Sequence, residues 1–298
     1  MARKPGIGLI APSGQVTNTE ALEQAIAYFR ARGWRVVAPA AIKRVHQRFA
    51  GTDAARVAAL HAMAVRDDVD IVMAVRGSYG LSRLLRQIDY GLLAKSGKCF
   101  IGHSDFTALL SAAHASAGVA GWSGPMACAD FHDPVSSFTE QHFWQMVEQG
   151  KDRIEVDGGG SGAFHASGTL WGGNLAMLAG LVGTPYFPKI RGGILYVEDI
   201  NEHPFRVERM LLQLHHAGVL KQQKALLLGD FSAYKLAPND NGYDFATMVT
   251  YLRATLGIPV FTGLPFGHVR DKLTLPFGGR ATLEAGRDGW QLEYRATP

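Results

Sequence analysis

Residues 99–106, Cys-Phe-Ile-Gly-His-Ser-Asp-Phe, contain the transition that decides the fold of the first half of the chain. The stretch starts as a short apolar run, which is typical of a buried strand, and then reaches Gly102, where a chain can turn sharply. Apolar residues then recur at helical spacing, at Phe106, Leu109, Leu110 and Ala113. The pattern predicts a strand that turns into a helix at Ser104.

A hydroxyl group at residue 104 has two interpretations. In a nucleophile elbow, Ser104 stands at the carboxyl edge of the sheet and the next backbone amides point toward the same spot. The usual G-x-S-x-G pattern is incomplete, because residue 106 is Phe. In a helix N-cap, the same oxygen accepts a backbone N–H two or three residues later. This stretch alone leaves both interpretations open.

The segments before this turn alternate between strand and helix patterns. Strands are predicted at 7–11, 34–37 and 70–75, and a short helix at 78–88, while Asn18 and Thr52 are predicted to begin two longer helices. Such alternation predicts a parallel sheet with right-handed crossovers, whose active sites lie at the carboxyl ends of the strands. We therefore expect residues 1–150 to form an α/β, Rossmann-like N-terminal domain that ends with a helix at 136–149.

The second half of the chain has a different pattern. A glycine-rich segment at 157–162 is of the kind that separates domains, so residues 151–167 are predicted to form a linker. Beyond it, helices mix with short strands predicted at 193–198, 225–228, 273–275, 281–284 and 291–294. We expect residues 168–298 to form a smaller α+β, barrel-like C-terminal domain.

The composition narrows the class of protein. With 47% hydrophobic and 19% charged residues, the 298-residue chain is an ordinary globular protein, and its net charge of +4 comes without a basic run, so nucleic acid is not an expected partner. Cys99 and Cys128 form no disulfide framework, which favours a reducing compartment. The first apolar run is too short for a signal peptide, and no stretch has the length of a membrane span. We expect a cytoplasmic protein.

A serine nucleophile needs a base, and the base needs an acidic partner. Among the eleven histidines, His268 differs because Gly267 before it lets the ring project from a loop, although an exposed loop histidine without a role fits the pattern as well. Glu198 and Asp199 end a predicted strand, and either can cap the helix that begins at Pro204. Asp199, with the shorter side chain, suits capping better, which leaves Glu198 to face a histidine.

A glycine-containing loop at 76–80 follows the third predicted strand, at the same edge of the sheet as Ser104. Its backbone amides can approach a substrate closely, as an oxyanion hole requires, although a plain strand-to-helix turn has the same pattern. The sequence has no G-x-G-x-x-G or G-x-x-x-x-G-K-[ST] loop. It also has no H-E-x-x-H motif, and its two cysteines are too far apart in the chain to form a zinc-ligand pair. The sequence therefore predicts no nucleotide cofactor and no metal.

Four stretches together resemble one family. They are Ala-Val-Arg-Gly-Ser-Tyr-Gly at 74–80, Ile-Gly-His-Ser-Asp-Phe-Thr at 101–107, Leu-Tyr-Val-Glu-Asp-Ile-Asn-Glu at 195–202 and Gly-Leu-Pro-Phe-Gly-His at 263–268. With further likeness at 168–174 and 203–206, the chain resembles the LD-carboxypeptidases of the murein tetrapeptide carboxypeptidase type. The resemblance implies a cytoplasmic, homodimeric serine peptidase of peptidoglycan recycling. Such enzymes remove the terminal D-alanine from a tetrapeptide by cutting the bond between the L-configured centre of meso-diaminopimelate and D-Ala.

The resemblance also implies roles for individual residues. The family's Ser-Glu-His triad carries over onto Ser104, Glu198 and His268. The oxyanion donors would be the backbone amides of Gly77 or Ser78 and of Asp105. This chain departs from the family at Ser78, where a second glycine is common.

Substrate-binding residues are less well defined by the pattern. Arg76 or Arg206 is a candidate for the free carboxylate of D-alanine through a bidentate pair, and Asn174 is a further candidate. Two rival functions stay open: hydrolysis of acyl-sulfamoyl adenylates, as in relatives that give immunity to a peptide-nucleotide antibiotic, and muropeptide binding without catalysis. The first would need an aromatic platform for adenine, and the second would not need the three triad residues.

Overall fold

The computed structural model describes residues 3–160 and 162–297 and contains two β-sheets. The first sheet has the order β11-β5-β4-β3-β1-β2, in which β11 is the strand Leu275–Phe277. Its parallel strands are β1 (Gly6–Ile10), β2 (Arg35–Val37), β3 (Ile71–Ala74), β4 (Cys99–Gly102) and β5 (Gly121–Ser123). All residues of β1 and β3 are buried, because helices cover both faces of a parallel sheet. The predicted α/β layer is confirmed.

Six α-helices lie in the described part of this half, and the first two begin at the predicted caps. They are α1 (Thr19–Ala31), α2 (Asp53–Ala64), α3 (Tyr90–Ser96), α4 (Phe106–Ala117), α5 (Ala127–Asp130) and α6 (Ser137–Gln149). The side chains of Asn18 and Thr52 accept backbone N–H groups at the first turns of α1 and α2, so both predicted N-caps are confirmed.

The predicted helix at 78–88 is wrong. Only the short 3₁₀ helix Leu81–Arg83 forms there. Ser78 and Gly80 before it have φ angles of +84° and +151°, which no helix accepts, and the backbone N–H of Leu81 is taken by the carboxylate of Asp105 at 2.9 Å. The apolar spacing of this segment reflects burial under the sheet edge.

The second sheet is mixed, with the order β10-β9-β8-β7-β12-β13-β6. Its strands are β6 (Lys151–Asp157), β7 (Phe164–Asn174), β8 (Ile194–Ile200), β9 (Ala225–Ser232), β10 (Val260–Thr262), β12 (Gly279–Ala285) and β13 (Gly289–Arg295). The helices α7 (Leu175–Leu181), α8 (Pro204–His216) and α9 (Phe245–Thr255) follow three of these strands. The mixture of strands and helices predicted for this half is confirmed.

Residues 151–167 differ from the predicted linker. Residues 151–157 form β6, which pairs with β13 along its whole length, and β7 begins at Phe164. The edge strand β6 alternates between exposed and half-buried residues, so its weak apolar pattern resembles that of a polar connection. Ser161 of the predicted linker, with Met1, Ala2 and Pro298 at the ends of the predicted domains, lies outside the described residues. The division of the chain at 150 and 168 stays a prediction.

The two sheets are tied together by a strand, a core and a hydrogen bond. Strand β11 (Leu275–Phe277), from the second half of the chain, pairs antiparallel with β5 of the first sheet. One cluster of buried residues includes Phe106 and Leu109 of α4 together with Trp171 and Val197 of the second sheet. The hydroxyl of Tyr196 donates to Ser123 Oγ at 2.8 Å, and both residues are fully buried.

We expect Tyr196→Phe to lower the free energy of unfolding by about 1–2 kcal/mol, because it leaves the Ser123 hydroxyl buried without its partner. Denaturant unfolding monitored by circular dichroism measures the change. The double variant Tyr196→Phe/Ser123→Ala is the control: its loss should be smaller than the sum of the two single losses. Additive losses would show that this hydrogen bond does not couple the sheets.

Candidate active site

A cleft of about 870 Å³ lies between the loops at the carboxyl edge of the first sheet and the loops of the second half. The loop after β3 contributes Gly77 and Ser78, the turn after β4 contributes Ser104, and the loop after β10 contributes His268. The cleft therefore brings together residues that are far apart in the sequence, as expected for a site at a parallel sheet edge.

Ser104 has the backbone conformation of an elbow. Its φ is +60°, in the left-handed region that residues with a side chain rarely adopt, and it lies between β4 and the N-cap residue of α4, Asp105. Its hydroxyl makes no hydrogen bond to any residue that the structure describes, so it does not cap the helix. The N-cap alternative is wrong, because the turn points the side chain into the cleft instead of over the helix end.

Gly77 lies directly against this serine. A Cβ atom at residue 77 would be 2.8 Å from Ser104 Cβ and 3.0 Å from its Oγ, closer than such atoms approach in proteins. The glycine is therefore required by the position of Ser104, independently of its own φ angle. The backbone N–H groups of Gly77, Ser78 and Asp105 donate to no acceptor within the described part of the chain.

Glu198 and His268 form a hydrogen-bonded pair. The Nδ1 atom of His268 lies 2.7 Å from Glu198 Oε2, and the carboxylate is fully buried while the ring is partly exposed to the cleft. Burial lowers the pKa of His268, but the hydrogen bond and the negative charge of Glu198 outweigh it, and the pKa ends above its ordinary value. With Nδ1 held by Glu198, Nε2 is the nitrogen left for chemistry in the cleft.

Asp199 and Asn174 complete the surroundings of Glu198. Asn174 Nδ2 donates to Glu198 Oε1 at 3.2 Å and to Asp199 Oδ1 at 3.0 Å. The prediction that Asp199 caps the helix at Pro204 is wrong, because His203 caps α8. Asp199 instead accepts the backbone N–H of Ala176, at the start of α7, at 2.8 Å. Burial first, and then the charge of Glu198, raise the pKa of Asp199 to about 6.

His103 brings the two halves of the cleft together. Its ring lies edge-to-face with that of His268, with centroids 5.2 Å apart, and its Nδ1 is 3.0 Å from the carbonyl oxygen of Gly124. Burial, followed by the charges of Lys272 and His268, holds the pKa of His103 well below its ordinary value, so this ring is neutral. No hydrogen bond joins Ser104 to His268 among the described contacts; such bonds often form only with substrate bound.

The side chain of Asp105 fastens three loops at the sheet edge. One oxygen accepts the Ser13 hydroxyl at 2.6 Å and the Leu81 N–H at 2.9 Å, and burial raises the pKa of this carboxyl. Sequence reasoning singled out Asp105 only for its backbone, and missed Ser13. The available signal was that Ser13 lies in the loop just after the first strand, at the same edge of the sheet.

The structure separates the predicted substrate-binding residues. Arg76 lines the cleft, where its Nη1 donates to the carbonyl oxygen of Gln15 at 2.9 Å. Arg206 does not line it; this exposed side chain pairs with Glu202, which lies just before the helix of Arg206. Asn174 is buried beneath the cleft, with its amide committed to the two carboxylates and its oxygen to the start of α7. Of the three candidates, only Arg76 is in reach of a ligand in the cleft.

Two features are absent from residues 3–160 and 162–297. No helix in these ranges is long and apolar enough to cross a bilayer. No group of three or more histidine, cysteine or acidic side chains is arranged there to hold a metal ion.

Comparison with known proteins gives the family. The model of the LD-carboxypeptidase N-terminal domain matches residues 7–124, and that of the C-terminal domain matches residues 167–283. A probable murein peptide carboxypeptidase of Bacillus subtilis is 30% identical, with 93% of this chain and 88% of that protein covered. The chain belongs to the LD-carboxypeptidase family, and it is a serine-type carboxypeptidase.

Solved structures agree with this assignment. The crystal structure of muramoyltetrapeptide carboxypeptidase from Oxalobacter formigenes has 48% identity and a TM-score of 0.93, and the alignment covers 98% of this chain and 99% of that one. The microcin C7 self-immunity protein MccF, in complex with aspartyl sulfamoyl adenosine, has a TM-score of 0.88, with 100% of this chain and 97% of that one covered. At 23% identity, the second likeness shows a shared fold only.

We expect Gly77→Ala to slow the reaction of Ser104 with a fluorophosphonate, a reagent for active-site serines, by roughly 100-fold, because the new methyl group displaces the hydroxyl. Mass spectrometry of the labelled protein gives the rate. Gly180→Ala is the control, since a Cβ at residue 180 of α7 meets nothing within 4 Å. Equal labelling of both variants and the wild type would contradict the packing argument.

We expect the ring of His268 to titrate above pH 6.5 in the free protein, because the Glu198 carboxylate stabilises the imidazolium. NMR of the ring protons measures the midpoint. Glu198→Gln removes the negative charge and should move the midpoint down, whereas Glu202→Gln, which removes a carboxylate paired with Arg206, should leave it in place. An unchanged midpoint in Glu198→Gln would show that the pair does not control this proton.

Proposed function

We propose that this protein releases the terminal D-alanine of murein tetrapeptide, by hydrolysing the bond between the L-configured centre of meso-diaminopimelate and D-Ala. Ser104 is the nucleophile, His268 the base and Glu198 its orienting acid. The observation that carries the proposal is the 2.7 Å Glu198–His268 pair in the cleft that also holds Ser104 at a φ of +60°. The names of the relatives supply the substrate class.

The first step is acylation of the serine. His268 Nε2 takes the proton of the Ser104 hydroxyl as its oxygen attacks the peptide carbonyl, and Glu198 stabilises the imidazolium that forms. The carbonyl oxygen becomes an oxyanion next to the backbone N–H groups of Gly77 or Ser78 and of Asp105. A donor of this kind typically contributes roughly 3 kcal/mol to the transition state. Their lack of protein acceptors among the described residues supports this role.

The second step returns the enzyme to its starting state. His268 gives its proton to the departing nitrogen, so D-alanine leaves as the amine. A water then attacks the acyl-enzyme with His268 again as base; the bond to Ser104 Oγ breaks, and His268 returns the proton to this oxygen as the peptide acid leaves. Because the raised pKa keeps the ring protonated to higher pH, the acid limb of kcat/KM should lie above pH 6.5.

The setting of the reaction is part of the same proposal. We place it in the cytoplasm, in the recycling of peptidoglycan fragments, with the enzyme as a homodimer. These points rest on the resemblance to the family, and sedimentation of the purified protein together with fractionation of cells that express it would test them.

We expect the wild type to convert a diaminopimelate-containing tetrapeptide into the tripeptide and free D-alanine, and Ser104→Ala to lose this activity by roughly four orders of magnitude or more. Mass spectrometry of the peptide is the measurement. Ser116→Ala, on the exposed side of α4, is the matched control and should stay active.

Two outcomes would contradict the proposal. If the wild type leaves the tetrapeptide intact, the murein assignment fails, and acyl-sulfamoyl adenylates are the next substrates to assay. If Ser104→Ala stays fully active, Ser104 is not the nucleophile.

A further inference from the structure

A buried ammonium group forms part of the cleft wall. Lys272, only 3% exposed, lines the cleft, and its Nζ donates to the carboxylate of Asp130, which also lines it. The second oxygen of Asp130 accepts the backbone N–H of Met126 at 2.8 Å, so this carboxylate is held in place. An ammonium has three N–H donors, and within the described chain Asp130 is the acceptor for Lys272. Donor capacity is therefore left over at the cleft wall.

A buried ion pair at this place needs an explanation. Removing two charges from water is costly, and apolar residues of similar volume often stabilise a fold as well or better. The remainder of the Lys272 segment is firmly fixed without the charge: its backbone N–H donates to Thr139 Oγ1 at 2.9 Å, and Leu273 after it is fully buried. The charge therefore points to a ligand.

The chemistry of a carboxypeptidase says where a cation must be. The departing nitrogen receives its proton from His268, and in the leaving amino acid this nitrogen and the carboxylate carbon share one Cα, roughly 2.5 Å apart. Whatever binds the carboxylate must therefore lie within roughly 5–7 Å of the His268 ring. Lys272 is four residues beyond His268 in the same loop. Burial lowers the pKa of His268 and Glu198 raises it, and these two effects are the largest. The positive charge of Lys272 lowers this pKa as well, which agrees with a short distance between the two side chains.

The other cations of the cleft fit this position less well. Arg48 and Arg76 belong to the loops of the first half, where Arg48 Nη2 donates to Ser78 Oγ at 3.3 Å and Arg76 is bound to the loop after β1. They lie beside the proposed oxyanion donors and not in the loop that carries His268. Arg270 lines the cleft but is exposed, so solvent competes for its guanidinium.

We propose that Lys272 binds the terminal carboxylate of the residue that leaves, and that Asp130 positions its ammonium for this contact. The inference rests on the proposed function, and it names the residue that makes the enzyme a carboxypeptidase. A peptide that continues beyond this residue, or ends in a carboxamide, brings no negative charge to Lys272 and leaves the ammonium desolvated without a second partner.

The test compares a diaminopimelate–D-Ala tetrapeptide with the same peptide carrying a C-terminal carboxamide. Calorimetry with the Ser104→Ala protein measures both dissociation constants, and mass spectrometry measures hydrolysis of both peptides with Ser104 intact. We expect Lys272→Gln, which can still donate to Asp130, to weaken binding of the acid by roughly 10- to 100-fold and to leave binding of the amide within about 3-fold. The acid-over-amide ratio is the readout, because a purely structural defect would weaken both peptides equally.

Two further variants keep the result interpretable. Asp130→Asn/Lys272→Gln removes both charges together, so it avoids an unpaired buried carboxylate and should also lose the preference for the acid. Arg270→Gln removes a cation two residues away and should keep the preference. The proposal is overturned if the Ser104→Ala protein binds both peptides equally, if Lys272→Gln keeps the ratio, or if Arg270→Gln is the variant that loses it.

The two proposals fail in different ways. If the intact enzyme hydrolyses the acid but the ratio does not depend on Lys272, the carboxylate site falls and the function stands. If the intact enzyme hydrolyses neither peptide while binding of the acid depends on Lys272, the function falls and the carboxylate site stands.

Discussion

The left-handed backbone at Ser104 is the constraint on which the site depends. Holding a residue with a side chain at a φ of +60° costs of order 1–3 kcal/mol, and such strain persists only where the surroundings impose it. Here β4 fixes one side of the turn and α4 the other, while the Asp105 carboxylate binds the loops that follow β1 and β3. The same turn forces a glycine at residue 77, because no side chain fits between that loop and Ser104. The left-handed turn, the hydrogen bonds of Asp105 and the close packing of Gly77 together hold the Ser104 hydroxyl in the cleft.

The Glu198–His268 pair imposes a second requirement, which is to keep a carboxylate charged without water. Glu198 is fully buried, and a buried charge is tolerated only when it is paired and hydrogen-bonded. One of its oxygens faces His268 Nδ1, and the other accepts from Asn174, whose amide also reaches Asp199. Asn174 therefore supports the Glu198 carboxylate from below the cleft. Burial, and after it the charge of the neighbouring Glu198, raise the pKa of Asp199 in the same space.

Because Ser104 and His268 come from different halves of the chain, the contacts between the sheets set the distance between them. The crossing strand β11, the shared core around Phe106 and Trp171, and the Tyr196–Ser123 hydrogen bond all act on this relation. Thr107, in the first turn of α4, adds a further contact: its Oγ1 accepts the backbone N–H of Asn174 at 3.0 Å. That contact joins the helix after the elbow directly to the residue that supports Glu198.

The local pattern of the sequence was enough to predict strands β1 to β4 and the caps at Asn18 and Thr52, because periodicity and capping depend on neighbouring residues. It left the elbow at Ser104 as one of two interpretations. The four motif stretches singled out Glu198 and His268 as well. Sequence reasoning failed where distant residues decide. The 78–88 segment is kept from forming a helix by two positive φ angles and by the Asp105 carboxylate, and β6 is a strand because β13 pairs with it. Only the tertiary structure brings Ser13 to Asp105 and Lys272 to Asp130, since contacts over such separations in the chain leave no periodic trace in the sequence.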